Sequence, residues 1–286
     1  VPTIGETLRD TERRLATNSE SPRLDAEFLL AHAMGMERPR LLARLGEPLP
    51  QLAFEPLVLR RLAGEPVAYI LGSWEFYSLE IEVEAPALVP RPETEHLVEA
   101  ILEFIGEDPA RVLDLCTGTG CVAIAIAKNA PRARVLAADI APGYVALARR
   151  NAARHGLRDR CSAAQGDLFG AVPAGEAPFD AICANPPYVA QEEWSALSET
   201  IQRYEDPRAL LSGREGLDCI RRITAEAQRF LRPGGLLAIE IGYRQAVAVR
   251  RLLEAEDYRG IHFRRDLAGI ERIACGFRSD SENIQA

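Results

Sequence analysis

The chain is 286 residues long, 47% hydrophobic and 27% charged, which is enough apolar sequence to bury one large core or two smaller ones. Its 34 Lys and Arg face 42 Asp and Glu, and the resulting net charge of −8 excludes a protein whose main work is gripping nucleic-acid phosphates, though not a local basic patch. Six cysteines without a CxxC pair or a zinc-type histidine spacing exclude a disulfide scaffold and a zinc module.

The first residues, VPTIGETLRDTERRL, carry no apolar signal segment, and no run reaches membrane-spanning length. A reduced, cytoplasmic protein is the expectation, with residues 1–73 as a small helical domain. Thr3 and Glu6 form a capping-box pattern, with Ile4, Leu8 and Leu15 at helical spacing. Ser21 before Pro22 marks a second helix, which Gly35 stops, and Leu24, Phe28 and Ala31 are its expected inward face. Further helices are expected over RPRLLARL and over LAFEPLVLRRLA, ending at Gly64. From Trp74 the period changes to two: Leu79, Ile81 and Val83 alternate with Glu80, Glu82 and Glu84, which predicts an antiparallel hairpin over residues 74–90 that joins two domains.

Residues 91–279 alternate strand and helix. Strands are predicted at Val112–Leu115, Val135–Asp139, Ala181–Ala184 and Leu236–Ile241, with another ending in QGDLFG; one helix ends at Gly156 and one spans Leu217 to Leu231. That order implies a parallel sheet covered on both faces, with ligands bound beyond the carboxyl ends of the strands. Residues 280–286 read as a frayed polar tail.

The strand ends carry the chemistry. In RVLDLCTGTGCVAIAIA, Asp114 lies in the strand, and Cys116, Thr117, Gly118, Thr119 and Gly120 form the turn into a helix. Such a turn lets a ligand approach the backbone, and the helix N-terminus offers unpaired N–H groups. The next strand ends at Asp139, where a carboxylate can hold ribose hydroxyls. GTGCVA matches a dinucleotide fingerprint, and the same turn with its acid equally describes an S-adenosylmethionine site; this motif alone does not choose. Asp167 and Leu168, at the end of the third strand, are placed to flank a purine ring, a weak signal because Asp and Gly are common in plain turns.

The fourth strand stops at Asn185, Pro186, Pro187 and Tyr188, and two prolines force the chain out of the sheet rigidly. These four residues resemble the Asn-Pro-Pro-Tyr signature of amino-methylating enzymes that use S-adenosylmethionine. The acceptor there is a planar NH₂ group whose lone pair is delocalised; in an amide that delocalisation underlies a rotation barrier of ~18–20 kcal/mol. The Asn185 side-chain oxygen and the Pro186 carbonyl can each accept one N–H of the acceptor, aim its nitrogen and stabilise the positive charge that develops, while Tyr188 can stack on the flat group. No strong base is required, in keeping with four histidines (His32, His96, His155, His262) that lie beside none of these motifs. Adenine N6, cytosine N4 and the glutamine side-chain amide all suit this chemistry.

A wider resemblance narrows the choice. RLDAEFLLAHAMGM, RRLAGEPVAYILGSWEFYSLEIEV, LVPRPETEHLV, VLDLCTGTG, NPPYV and DLAGIERI occur in the order and spacing of the protein-(glutamine-N5) methyltransferases that act on peptide-chain release factors, the PrmC/HemK family. This resemblance covers nearly the whole chain. It implies an α/β fold: a Rossmann-like, mostly parallel sheet of an S-adenosylmethionine-dependent methyltransferase, with a small N-terminal helical domain joined by a β-hairpin. It implies S-adenosylmethionine as cofactor and S-adenosylhomocysteine as product, with the glutamine of the Gly-Gly-Gln loop of class I release factors as target. A monomer is expected, and the net charge of −8 and the lack of a membrane-length run lead to the expectation of no stable nucleic-acid partner and no membrane. Carried onto this sequence, the cofactor residues are Cys116 to Gly120, Asp139, Asp167, Leu168 and Asn185. The substrate residues are Asn185, Pro186, Pro187 and Tyr188, with Arg91 from the Pro90–Thr94 segment bordering the methionine end or the substrate entrance.

Three departures stand out. Cys116 replaces the usual glycine, a change expected to cost little so long as its φ stays negative. Leu168 replaces the tryptophan of some relatives. YEDPRALLSG differs from the family's segment and leaves Glu205 and Asp206 without an assigned role. An adenine methyltransferase of nucleic acid is the main alternative; residues 1–80, with nine arginines against twelve acidic residues, lack the basic surface it would want.

Overall fold

The structure, a computed structural model, describes residues 1–279. The expected tail, residues 280–286, lies outside the described residues. The chain divides into two compact units, one of residues 1–74, 83–85 and 198–205 and the other of residues 75–82, 86–197 and 206 onward.

The first unit is helical: α1 (Ile4–Leu15), α2 (Pro22–Ala33), α3 (Arg38–Leu42), α4 (Glu55–Leu62) and α5 (Val67–Leu71). The Thr3–Glu6 capping box forms as the sequence predicts. The inward face of α2 does not. Leu24 is exposed and Phe28 only partly buried, while Ala26, Leu29 and Leu30 join Ala31 in the core with Ile4, Leu8 and Leu15. The buried stripe is therefore set by Ala26, Leu29 and Leu30 at i, i+3 and i+4, and the apolar Leu24 lies on the outer side. The sequence reading also passed over α5, a single turn and a half after Pro66.

The hairpin pairs β1 (Ser73–Phe76) with β2 (Leu79–Glu82) across Tyr77 and Ser78, both at positive φ, as a two-residue hairpin turn demands. Ile81 and Val83 are buried and Glu80 is exposed.

The second unit runs α6 (Glu95–Ile105), β3 (Arg111–Leu115), α7 (Cys121–Asn129), β4 (Arg134–Asp139), α8 (Pro142–Arg154), β5 (Cys161–Gln165), β6 (Phe179–Ala184), then after the short helix α9 (Glu199–Tyr204) of the first unit, α10 (Asp218–Ala227), β7 (Leu231–Glu240), α11 (Ala246–Ala255), β8 (Arg259–Arg265) and β9 (Glu271–Phe277). The seven strands lie in the order β5-β4-β3-β6-β7-β9-β8. The first five run parallel; β9 is antiparallel to both β7 and β8. Helices cover both faces over two apolar clusters, as the alternating pattern implied.

The helix expected over Leu217 to Leu231 ends at Ala227, and Leu231 already belongs to β7. Pro233, Gly234 and Gly235 precede the strand expected from Leu236, yet the observed strand takes them in at a register shift between the Phe179–Leu231 and Ala181–Leu236 pairs, with Gly234 at φ +68°. A bulge accommodates proline and glycine where a regular ladder does not. The outer strands β8 and β9 carried no prediction.

Candidate active site

The carboxyl ends of β3, β4 and β6 meet at one cavity of about 470 Å³. Its wall includes Arg91, Thr94, Asp114, Cys116, Thr117, Gly118, Thr119, Asp139, Asp167, Leu168, Asn185 and Pro187. Most of the residues singled out in the sequence thus converge on one space. Gly120, Pro186 and Tyr188 do not line it.

The loop after β3 is shaped by left-handed backbone at three positions: Cys116 at φ +57°, Gly118 at +54° and Gly120 at +83°. The condition of negative φ at Cys116, under which the cysteine would cost little, is therefore not met; the turn imposes the left-handed region, which costs an L-residue roughly 1–2 kcal/mol. Leu168, at φ +48°, is a second such residue on the cavity wall. At Gly118 an added Cβ would meet nothing within 4 Å, so this peptide faces open space. At Gly120 an added Cβ would come within 2.9 Å of Ala148 Cβ, so glycine there lets α7 approach α8.

Asp139 ties β4 to this loop. Its Oδ2 accepts the Gly118 N–H at 2.9 Å and its Oδ1 accepts the Ala141 N–H at 3.0 Å. Burial nevertheless pushes its carboxyl above the ordinary range. Asp114, 1% exposed, is raised to about 7 by burial, although the Thr117 hydroxyl and the Cys183 thiol donate to it. Two buried carboxylates with no cation bonded to either among the described residues favour a positively charged occupant of the cavity. Asp139 suits the ribose of either ligand class left open by the glycine turn. S-adenosylmethionine brings a sulfonium and an ammonium in addition, and the residues present fit that charge.

At the far rim Asp167 is paired with Arg222, whose Nη2 donates at 2.8 Å, and Leu168 is buried. The Tyr144 hydroxyl donates to Asp206 Oδ2 at 3.0 Å, and Arg208 donates to the same carboxylate. Asp206 is thereby held below its ordinary pKa despite its burial, and the residue without a sequence-derived role turns out to organise the rim beside Ile140 and Tyr144.

Asn185, directly after β6 and partly buried, joins a network that runs into the interior. Its Nδ2 donates to Thr94 Oγ1 at 3.1 Å; Thr94 Oγ1 donates to Glu240 Oε2 at 2.7 Å; and the Tyr188 hydroxyl donates to Glu240 Oε1 at 3.2 Å. Tyr188 is therefore anchored by its hydroxyl, and Gln245 Nε2 donates to its carbonyl oxygen at 2.9 Å. Thr94 belongs to the Pro90–Thr94 segment expected beside the methionine end or the substrate entrance and it lines the cavity, but its bond to Asn185 was not foreseen, and Glu240 was missed. Glu240 had a usable signal, a lone acid at the end of the apolar run LLAIE, as at Asp114 and Asp139.

A model of the PrmC N-terminal domain matches residues 6–72, and a methyltransferase-domain model matches residues 112–207. The release factor glutamine methyltransferase of Rhodopirellula baltica is 44% identical over 264 residues, 89% of each chain. That of Bordetella pertussis is 43% identical over 260 residues, 90% of this chain and 95% of the relative. Among solved structures, a methyltransferase from Pyrococcus furiosus shares the fold with a TM-score of 0.55 at 18% identity, over 79% of this chain and 98% of that one.

Proposed function

Because the chain belongs to the release factor glutamine methyltransferase family, we propose that it transfers a methyl group from S-adenosylmethionine to the side-chain amide nitrogen (N5) of the glutamine in the Gly-Gly-Gln loop of class I release factors. The observation that carries this reading is the position of Asn185 on the wall of the same cavity as the glycine loop, Asp114 and Asp139.

When bound, S-adenosylmethionine supplies an electrophilic methyl group on a sulfonium. The Cys116–Gly120 loop would hold it, with Asp139 taking the ribose hydroxyls and Asp167 and Leu168 flanking the adenine. Asp114 and Asp139 compensate the positive charge. The Asn185 oxygen accepts one N–H of the target amide and favours the pyramidal, partly positive nitrogen of the transition state; the Pro186 carbonyl, although off the cavity wall, is assigned the other N–H. Arg91, which lines the cavity, is assigned to the substrate entrance. No histidine lines the cavity, and none is needed, because the proton is lost after transfer from a far more acidic nitrogen. Residues 1–73 are assigned to recognition of the protein substrate, and a cytoplasmic location goes with a substrate that serves translation termination.

The test is incubation with radiolabelled S-adenosylmethionine and release factor, either intact or with the Gly-Gly-Gln glutamine changed to alanine. Label in the intact factor alone supports the reaction and the target atom. Label in DNA or RNA but in neither factor would overturn the substrate.

A further inference from the structure

Asparagine is useful in this site only if its oxygen, not its NH₂, meets the target amide. Electron-pair geometry at Asn185 alone does not decide that: the side chain is nearly symmetric and flips by rotation about one bond. The decision is made by Thr94, from the Pro90–Thr94 segment, and by Glu240, at the end of a distant strand. Thr94 has one hydroxyl proton, and Glu240 Oε2, 2.7 Å away, is where it goes. A carboxylate only accepts, so Thr94 is left with oxygen lone pairs for Asn185, and only the Asn185 NH₂ can use them. The Asn185 oxygen is then the amide atom left for a ligand in the cavity that Asn185 lines.

We propose that Thr94, held by Glu240, is the positioning residue that fixes the Asn185 amide with its oxygen toward the methyl acceptor. The inference rests on the methyltransferase reading above. Thr94 and Glu240 are each 2% exposed, so the pair is not randomised by water. Thr94 stands in a single helical turn, Pro92–Thr94, directly before α6, and Glu240 is the last residue of β7. Burial pushes the Glu240 carboxyl above its ordinary range, and the hydroxyls of Thr94 and Tyr188, which donate one to each oxygen, act against that shift and favour the carboxylate. A chain of hydrogen bonds ending on an anion also polarises its members, so the Asn185 oxygen becomes a better acceptor for the developing positive nitrogen.

Thr94→Val keeps the shape and removes the hydroxyl; Thr94→Ser keeps the hydroxyl. In the release-factor assay the valine variant should lose kcat by on the order of 10²-fold, the effect of a displaced reacting group, with cofactor affinity and release-factor KM little changed. The serine variant should recover most of that loss. A valine variant with wild-type kcat, or a serine variant as slow as the valine one, would overturn the proposal. A second readout does not need turnover. In ¹⁵N-labelled full-length protein, the Asn185 side-chain NH₂ signals, identified by their absence in Asn185→Asp, should include one proton protected from exchange in the wild type and Thr94→Ser and unprotected in Thr94→Val. If no release factor is methylated by the wild type, the function above fails while this signal still decides the orientation: equal protection in all three proteins would sink it.

Discussion

Asp139 Oδ2 accepts the backbone N–H of Gly118 at 2.9 Å, so the acid at the end of β4 holds the glycine loop that follows β3. The carboxylate proposed to bind ribose is thus also a strut for the loop proposed to bind the rest of the cofactor. Asp139→Ala removes a charge-assisted hydrogen bond, typically worth ~1.5–3 kcal/mol, and should weaken S-adenosylmethionine binding by roughly 10- to 100-fold. Isothermal calorimetry measures this directly, and an unchanged affinity would reject the assignment.

Asn185→Ala separates chemistry from cofactor binding. Loss of one transition-state acceptor should lower kcat by ~10²–10³, while the calorimetric affinity for S-adenosylmethionine stays close to wild type. Near-wild-type turnover would remove the acceptor role of Asn185.

The burial of Asp114 predicts a pH effect of definite sign. Its carboxyl is raised from 3.8 to about 7, with Asp139 raised in the same direction and adding like charge. A cationic ligand prefers the ionised form, so S-adenosylmethionine affinity should fall as pH drops through 7, with proton release on binding below it. For the ligand-free protein the sign is opposite. A raised folded pKa contributes stability that is fully present below the unfolded value and lost as pH rises through the folded one. Asp114→Asn should therefore raise the apoprotein Tm at pH 8 more than at pH 5 and flatten the pH dependence of cofactor affinity. A calorimetric pH series in both proteins checks it.

Cys116 sits at φ +57°, a conformation that glycine adopts without a Cβ clash. Cys116→Gly trades left-handed strain of about 1–2 kcal/mol against the greater unfolded-state freedom of glycine, about 0.5–1 kcal/mol. Urea unfolding should show a net gain of ~1 kcal/mol or less with cofactor affinity preserved. A clear loss of stability would mean that the Cys116 thiol contributes more than its backbone costs.

Gly120 has a different reason to be glycine. Gly120→Ala would combine φ +83° with a Cβ 2.9 Å from Ala148 Cβ, forcing α7 away from α8. Overpacking of this kind typically costs ~1–3 kcal/mol, read as a drop in the urea midpoint, and cofactor affinity should fall with it because the loop begins that helix. A variant as stable as the wild type would show that the two helices have room to part.

The residue types and their local order were enough for the alternation of strand and helix, the Thr3–Glu6 cap, the Gly118 and Gly120 turn, and the placing of Asp139 and Asn185 at strand ends. Each is a short-range property: a hydrophobic period, a cap or a turn is decided by neighbours within a few positions. The rest depended on which elements meet. Leu24 faces outward because α2 is rotated to seat Ala26, Leu29 and Leu30 in its core, and the period alone leaves that rotation open. Cys116 takes a left-handed φ because the turn geometry outweighs its side-chain preference. Above all, Thr94 and Glu240 are 146 positions apart in the chain, and only the closing of β7 onto β6 beside the turn before α6 makes them one hydrogen-bonded pair. The sequence supplied the asparagine; its partners, and with them the direction of its amide, come from long-range packing, because a hydroxyl's single proton points wherever the fold puts its acceptor.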